Sequence, residues 1–303
     1  MLMRIIKVAV AVGIFLVSGA SMAQGNDRRY SIVDLGTLGG TFSAGASIND
    51  SRYVVGSSRT TGNAAVHPFM FSMDSGMRDL GTLGGGYGGA SAINSSGAVA
   101  GSSTTRITYQ MAFTYSAAGG MVGIGGLGGY TSAATGINDS GQIVGSAGTS
   151  NHNMSHAFLY TPGIGIQDLG TLGAPDLPSE ARGINNFGHV VGKSYISPIA
   201  EHAFLYTPTD GMRDIGTLGG YSSEANAINN NGDVVGGART QSDFIHAFVY
   251  SSGQMKDLGT LGGNWSTAWA INEFGQIVGS SATSTGTHSK FKRGATLFPC
   301  RQT

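Results

Sequence analysis

Cysteine is almost absent from this 303-residue chain, and the single one, Cys300, allows no internal disulfide. The fold must therefore be stabilised by packing. Charged residues make up only 11% of the chain and the formal net charge is zero, so the basic surface expected of a nucleic-acid-binding protein is missing. Prolines number only 7, whereas glycines number 51 and recur at regular positions, as they do in turns and closely packed strands.

The N-terminus carries the pattern of an export signal. Two basic residues, Arg4 and Lys7, precede a ten-residue apolar run that is too short to span a membrane. Small residues follow and end at Ala23. The pattern predicts a signal peptide over residues 1–23 and a secreted, periplasmic or cell-surface protein that begins at Gln24. A retained membrane anchor is the alternative.

A heptapeptide and a second signature recur with one period. Copies of DLGTLGG start at Asp34, Asp79 and Asp257. Asp214 starts a copy with isoleucine in second place, Asp168 starts a copy that ends in alanine, and a decayed copy, GIGGLGG, starts at Gly123. The intervals are 43 to 46 residues. The signature Ile-Asn-x-x-Gly keeps the same period at Ile48, where Arg52 replaces the glycine, and at Ile93, Ile137, Ile184, Ile228 and Ile271. The chain is therefore one small unit copied about six times.

Each copy contains four short strand patterns and no helical period. In the third copy we expect strands over Ser132–Asn138, Gln142–Ser146, His156–Tyr160 and Ile166–Leu172. Four short antiparallel strands every 43 to 46 residues are typical of a propeller blade. The predicted fold class is all-β, a six-bladed β-propeller that forms one domain over residues 30–288, with an atypical tail over residues 289–303.

The phase of the copies predicts how the ring closes. The repeats open with a fourth-strand pattern, Ile32–Leu38, and end after the first two strands of a sixth copy, Ala270–Ser281. Five complete blades lie between these segments. We therefore expect Ile32–Leu38 to complete the sixth blade and to leave no free sheet edge. The residues that stand one and three positions before the Ile of each Ile-Asn signature are Gly, Ala or Ser. Such small side chains suit the crowded innermost strand of a blade.

The motifs resemble a known family. The His-Ala-Phe triplets at His156, His202 and His246, together with DLGTLGG and the Ile-Asn-x-x-Gly signature, resemble the bacterial extracellular HAF-repeat family. The resemblance extends from about Tyr30 to about Ser281. It implies an exported repeat protein, and it implies no reaction, cofactor or catalytic residue.

The recurring histidines and aspartates have a structural interpretation. The histidines stand one per blade, so the ring keeps them too far apart to share a zinc ion at bond lengths of about 2 Å. We expect each to bond the backbone or the Asp of the DLG motif, and we predict no metal and no cofactor. The repeated aspartates occupy equivalent environments, which is unlike the paired carboxylates of a glycosidase.

The variable positions are better candidates for ligand binding. Four and two residues before the Ile, the last three copies carry large or charged side chains, and an aromatic residue follows most glycine doublets. The predicted ligand-binding residues are Glu180, Arg182, Tyr221, Glu224, Asn226, Trp265 and Trp269. We expect them at one mouth of the central opening. The alternative is that they fill the spaces between blades.

These features favour an exported, non-enzymatic binding or interaction module at the cell surface or in the envelope. Its partner would be a glycan or a protein. Two alternatives remain: a glycan-active enzyme that uses the central opening, and a structural repeat segment of a larger surface protein.

Overall fold

The computed structural model describes residues 32–150 and 154–284 in full, and residues 295–297 as backbone. The predicted signal peptide lies outside the described residues. Within them, no helix has the length and apolar character needed to span a bilayer. The described chain is built from β-strands, with a single 3-10 turn at Thr61–Asn63.

The strands group into consecutive units of the same design. Unit one holds β1 (Gly39–Ile48), β2 (Val54–Thr60), β3 (Val66–Ser72) and β4 (Gly76–Asp79). Unit two holds β5 (Gly84–Ile93), β6 (Val99–Thr105), β7 (Gln110–Ser116) and β8 (Gly120–Gly125). Unit three holds β9 (Gly128–Ile137), β10 (Ile143–Thr149), β11 (Ser155–Thr161) and β12 (Gly165–Asp168).

The second half of the chain continues this design. Unit four holds β13 (Ser179–Ile184), β14 (Val190–Ser197), β15 (Ala200–Thr207) and β16 (Gly211–Asp214). Unit five holds β17 (Gly219–Ile228), β18 (Val234–Thr240), β19 (Ile245–Ser251) and β20 (Gln254–Asp257). Unit six holds β21 (Gly262–Ile271), β22 (Ile277–Thr283) and β23 (Ala295–Leu297).

Each unit is an antiparallel meander, and the units pack side by side. The first strands of consecutive units lie against one another from β1 through β21, so they form the inner wall of the array. This confirms the prediction that the strands with uniformly small residues are innermost. Among the described residues, backbone pairing between neighbouring units is limited to one parallel bridge, between Val66 and Tyr87.

The core lies between units rather than within them. Five apolar clusters each combine residues of two consecutive units; Val191 and Leu205 of unit four, for example, pack with Phe248 of unit five. The Phe of each His-x-Phe or Met-Ala-Phe triplet is fully buried: Phe69, Phe113, Phe158, Phe204 and Phe248. A single unit would leave such a face exposed to water, so neighbouring units stabilise one another.

A β-bulge occurs at the same position of every inner strand. The residue two positions before the Ile of the Ile-Asn signature has no partner in the neighbouring strand. In β13 this residue is Arg182: Ala181 and Gly183 on either side of it pair with the consecutive residues Gly192 and Val191 of β14. The same shift appears in the other five inner strands. Gly192 is required here because a Cβ on it would overlap the carbonyl oxygen of Glu180.

The predicted closure of the ring by Ile32–Leu38 is corrected by the structure. Residues 32–37 form no strand, and Leu38 bridges Thr60 within its own unit. In units one, three, four and five the fourth strand ends at the Asp of the DLG motif and pairs with the third strand of its unit. The described third strand of unit six is only three residues long, so residues 32–34 lack a full partner strand. The third strand of unit six comes from residues 295–297, inside the predicted tail.

The two ends of the array are correspondingly open. Ile48 of β1 is 46% exposed, whereas the equivalent Ile93 and Ile228 are 8% and 9% exposed. At the other end, Trp269 of β21 is 50% exposed. The residues predicted to form the third strand of the last blade after His288 lie outside the described residues.

Arg52 of unit one occupies a turn position that is glycine in the other units, and this leads to a stability prediction. The last residue of the Ile-Asn-x-x-Gly turn is left-handed in each unit, and Arg52 adopts it with φ 65° where Gly97 has φ 84°. We expect Arg52→Gly to raise the free energy of unfolding by about 0.5–1 kcal/mol, because the side chain is strained there. Gly97→Arg, the reverse exchange in unit two, should lower it. Urea unfolding measures both, and an unchanged midpoint for Arg52→Gly would contradict the expectation.

Candidate functional site

The turns at one end of the inner strands form a continuous polar ladder. In each of the first five units, the side-chain amide of the turn Asn donates to the carbonyl oxygen of the equivalent Asn in the next unit, at 2.9–3.2 Å. The ladder runs through Asn49, Asn94, Asn138, Asn185, Asn229 and Asn272. Its members in units two to five are buried. This ladder sets the position of each unit relative to the next.

A second ladder runs beside the first. The backbone N–H of the residue after each Asn donates to the side chain of its equivalent in the next unit, at 2.9–3.0 Å. The chain of donors and acceptors passes through Ser95, Asp139, Asn186, Asn230 and Glu273. Asp50, the equivalent residue of unit one, makes no side-chain hydrogen bond among the described residues.

The turns surround an axial cavity of about 290 Å³. It is lined by the Ile of the first five units and by the polar residues of the two ladders, including Asp50, Asp139 and Glu273. Units one and six therefore face the same opening. The seven residues predicted to bind a ligand are not among those lining this cavity.

Asp139 is a carboxylate of the axial cavity that accepts hydrogen bonds from both neighbouring units. Hydrogen bonds from the side chain and backbone of Ser95, and from Asn186, lower the pKa of Asp139 below its ordinary value of 3.8. The Ser95 N–H lies 3.0 Å from one carboxylate oxygen and the Asn186 amide 2.8 Å from the other. The carboxylate thus ties units two, three and four together.

The histidines and aspartates pair within their own units, as predicted. His67, His156, His202 and His246 place Nδ1 at 2.7–2.9 Å from the Asp of the following DLG motif. The second oxygen of that Asp accepts the N–H of the DLG glycine. Among the described residues, no three His, Cys, Asp or Glu side chains gather as metal ligands would.

A serine on the inner strand joins each unit to the one before it. Ser223 donates to the carbonyl of Gly216 and accepts the N–H of Ala203, the Ala of the His-Ala-Phe triplet in unit four. Unit one has Pro68 in place of that alanine and offers no N–H, and unit two has Gly88 in place of the serine. A Cβ on Gly88 would lie 2.9 Å from the Pro68 ring, so the two exchanges compensate each other.

Four of the predicted ligand residues come together in one network between units four and five. Arg182 contacts Glu224 at 3.1 Å, Asn226 at 2.6 Å and, less closely, Glu180 at 3.7 Å. Asn226 in turn donates to the backbone carbonyl of Ala268 in unit six, at 2.8 Å. These side chains are half-buried.

Arg182, Asn226 and Trp269 share a structural position, because each is the bulge residue of its inner strand. Thr135 holds the same position in unit three and donates to the Ala181 carbonyl of unit four at 2.9 Å. The side chains of Thr135, Arg182 and Asn226 thus reach the next unit along the inner wall, whereas the indole N–H of Trp269 bonds Ser280 of its own unit. They lie two residues, about 7 Å, further along each strand from the Ile that lines the axial cavity.

The aromatic residues lie at the opposite end of the inner strands. Tyr221 is 52% exposed and Arg239 lies 4.8 Å above its ring. Tyr130 occupies the same position in unit three, whereas Phe42 and Tyr87 lie one residue further along their strands, at the position of Trp265. All three are also more than half exposed. Trp265 is half-buried. Tyr221 and Trp265 are therefore separated along their strands from the Arg182 network.

Comparison with known proteins confirms the fold class. The chain matches no family model and no curated protein. Its structure is similar to the β-propeller domain of the Trilobed protease from Pyrococcus furiosus, which is described as having an open velcro topology. The TM-score is 0.53 at 9% identity, over 87% of this chain and 85% of that chain. The predicted all-β propeller is thus confirmed, and the number of blades stays a prediction.

Other propeller structures are less similar. TolB from Acinetobacter baumannii gives a TM-score of 0.47 at 13% identity, over 77% of this chain and 61% of TolB. The Aleuria aurantia lectin gives 0.43 at 11% identity, over 88% of this chain and 100% of the lectin. The present chain thus spans less than two thirds of the length of TolB.

The Asn ladder leads to a test with an internal control. Asn138 and Asn272 make the same bonds within their turns, but only Asn138 of the two also donates to the next unit, at Asn185. We expect Asn138→Ala to cost about 1 kcal/mol more than Asn272→Ala, which is the net value of one hydrogen bond. Denaturant unfolding compares the two, and equal losses would show that the ladder contributes nothing.

Asp139 leads to a pH prediction. Because folding lowers its pKa, it stabilises the fold at pH above the unfolded value and loses this contribution as the pH falls through the folded value. The stability advantage of the wild type over Asp139→Asn should therefore shrink between about pH 6 and about pH 2. Asp50→Asn, which removes no bond within the described chain, is the control. A constant difference across this range would contradict the assignment.

Proposed function

We propose that this protein is an exported, non-enzymatic binding module that takes its ligand on the inner wall of the ring. The ligand would contact the bulge side chains of units four to six. The observation that supports this is that one backbone feature, repeated six times, carries very different side chains. It holds Ala46, Ser91 and Thr135 in the first three units and Arg182, Asn226 and Trp269 in the last three.

The fold does not require the larger residues. The bulge has the same register in every unit, and alanine or serine satisfies it in units one and two. The backbone conformation of the bulge therefore does not require the long side chain of Arg182 or the aromatic side chain of Trp269. Positions freed from packing are where repeat proteins place binding specificity.

The arrangement of the network suits recognition of a polar ligand. Arg182 and Asn226 are held by partners on neighbouring units, which fixes their donors before a ligand arrives. Trp269 is half exposed and its indole N–H bonds Ser280 at 3.0 Å, so its ring is oriented and its face is open. Preorganised aromatic and guanidinium groups are typical centres of binding energy.

The wider proposal includes export and a six-bladed ring. Residues 1–23 would act as the signal peptide, and residues after Thr283 would complete the sixth blade beside β22. The ligand would be a glycan or protein of the envelope. In the alternative, a glycan-active enzyme, Glu180 and Glu224 would act as the acid and the base.

The test uses the mature chain from Gln24 on a glycan array and against envelope extracts. Arg182→Ala and Trp269→Ala should each weaken binding at least about tenfold, which corresponds to about 1.4 kcal/mol. Ser91→Ala changes the same bulge in unit two and should leave binding unchanged. Thermal unfolding is measured in parallel. Large losses of stability with unchanged binding would show instead that these residues are spacers between blades, and release of reducing sugar would favour the enzyme.

A further inference from the structure

Unit four departs from the other units at the start of its inner strand. Strand β13 has six residues, whereas the other five inner strands have ten. The glycine doublet and the aromatic residue that begin the others are replaced by the segment Ala174-Pro175-Asp176-Leu177-Pro178. This segment turns away from the sheet and leaves the end of β14 without a full partner strand.

A second cavity, of about 260 Å³, opens at this place. It lies between units three and four and is lined by Ser146, Ser155, Pro178, Ser179, Glu180, Lys193 and Tyr195. The cavity exists because unit four lacks the aromatic residue that follows the glycine doublet in the other units, and because Ser146 and Ser155 of unit three are small. In unit two the position of Ser155 holds Gln110, whose amide bonds Ser102 at 2.7 Å.

The side chains that line this cavity break the repeat. The position of Lys193 holds Ser57, Ser102, Ser146, Gly237 and Ser280 in the other units. Tyr195 stands where units two, three and six have Thr104, Gly148 and Ala282, and where units one and five have Arg59 and Arg239. Because a small residue satisfies the fold at each position in at least three units, packing does not explain a lysine and a tyrosine here.

The polar groups of the cavity are held in place, and several have no partner. Lys193 forms an ion pair with Glu201, with Nζ and Oε2 3.0 Å apart. Within the described chain, the hydroxyl groups of Ser146, Ser155 and Tyr195 make no hydrogen bond. The cavity thus offers charged donors and acceptors beside free hydroxyls and one aromatic ring.

The replacing segment is itself fixed. His156 contacts Asp168 through Nδ1 at 2.9 Å and the carbonyl of Pro175 through Nε2 at 3.1 Å. The carbonyl of Pro178 accepts the N–H of Tyr195 at 3.0 Å. His156 is 6% exposed, so this support is buried. The cavity wall is preorganised, which lowers the entropy cost of binding.

We propose that this cavity is a binding site for a single neutral, polyhydroxylated ring such as a pyranose sugar. The lining residues Glu180 and Lys193 have opposite charges, and their ion-pair partners Arg182 and Glu201 keep the total balanced, which disfavours both a phosphate and a polycation. Charge-assisted bonds to hydroxyls are stronger than neutral ones. The ring face of Tyr195 can cover the apolar face of a sugar. The volume lies just under the about 300 Å³ of drug-sized pockets, which suits one ring.

This cavity is separate from the inner-wall site proposed above. Glu180 is the one residue that belongs to both sets of predicted ligand contacts. The two proposals can therefore fail independently. Loss of binding in Arg182→Ala or Trp269→Ala reports on the inner wall, whereas Lys193, Tyr195 and Ser155 report on the cavity between units three and four.

The experiment is saturation-transfer NMR on the mature protein with glucose, galactose, mannose and N-acetylglucosamine as probes. Inorganic phosphate, followed by phosphorus NMR, and putrescine test the charged alternatives. We expect transfer to at least one neutral sugar. No transfer to any of the four, or binding of phosphate or putrescine in their place, would overturn the proposal.

The variants copy residues that the repeat already tolerates. Lys193→Ser and Tyr195→Thr restore the residues of unit two, and each should weaken sugar binding at least about tenfold. Ser155→Gln also copies unit two and should block the cavity without removing a contact. Arg59→Thr, at the position of Tyr195 but in unit one, is the matched control. Binding that survives Ser155→Gln in a folded protein would overturn the proposal.

Discussion

Each unit is attached to the next by hydrogen bonds from side chains to main-chain groups. In the part of the chain that the structure describes, backbone pairing stays within the meanders, apart from the bridge between Val66 and Tyr87. Apolar clusters supply attraction between the sheets but little direction, because burial of apolar surface does not depend on orientation. The Asn ladder, exemplified by Asn138 and Asn185, and the bonds of Ser223 supply that direction. The register of the inner wall, and hence the placement of both candidate sites, depends on them.

The repeat period, the four strands and the small inner residues were predictable because each follows from a pattern that recurs. Strand bounds were less predictable. The inner strand of unit three was predicted to begin at Ser132, but it begins at Gly128. Gly128 still pairs with Thr149, beyond an irregular stretch of the ladder that the sequence pattern indicates to be a loop. The predicted ring closure was wrong because the phase of the copies shows which strand is missing from the sixth blade, but not how much third strand that blade offers as a partner for the segment of Ile32.

The candidate site was predictable only in part, and for a similar reason. Comparison of equivalent positions near the Ile identified Arg182 and its partners, which the structure brings together. The same comparison applied to the second strand would have revealed Lys193 among serines. No sequence pattern, however, shows that the shortened strand of unit four leaves a cavity beside Ser146, because that depends on how two units meet.

The exchange of an alanine–serine pair for Pro68 and Gly88 has a consequence for how such arrays can evolve. Pro68 belongs to unit one and Gly88 to unit two, so neither of these two blades can be moved alone without damage. A recombination event that placed unit two after unit three would set Gly88 against the N–H of an alanine and leave that donor without its serine. Units three to five each carry both the serine and the alanine, so single blades are exchangeable there, whereas units one and two are exchangeable only as a pair.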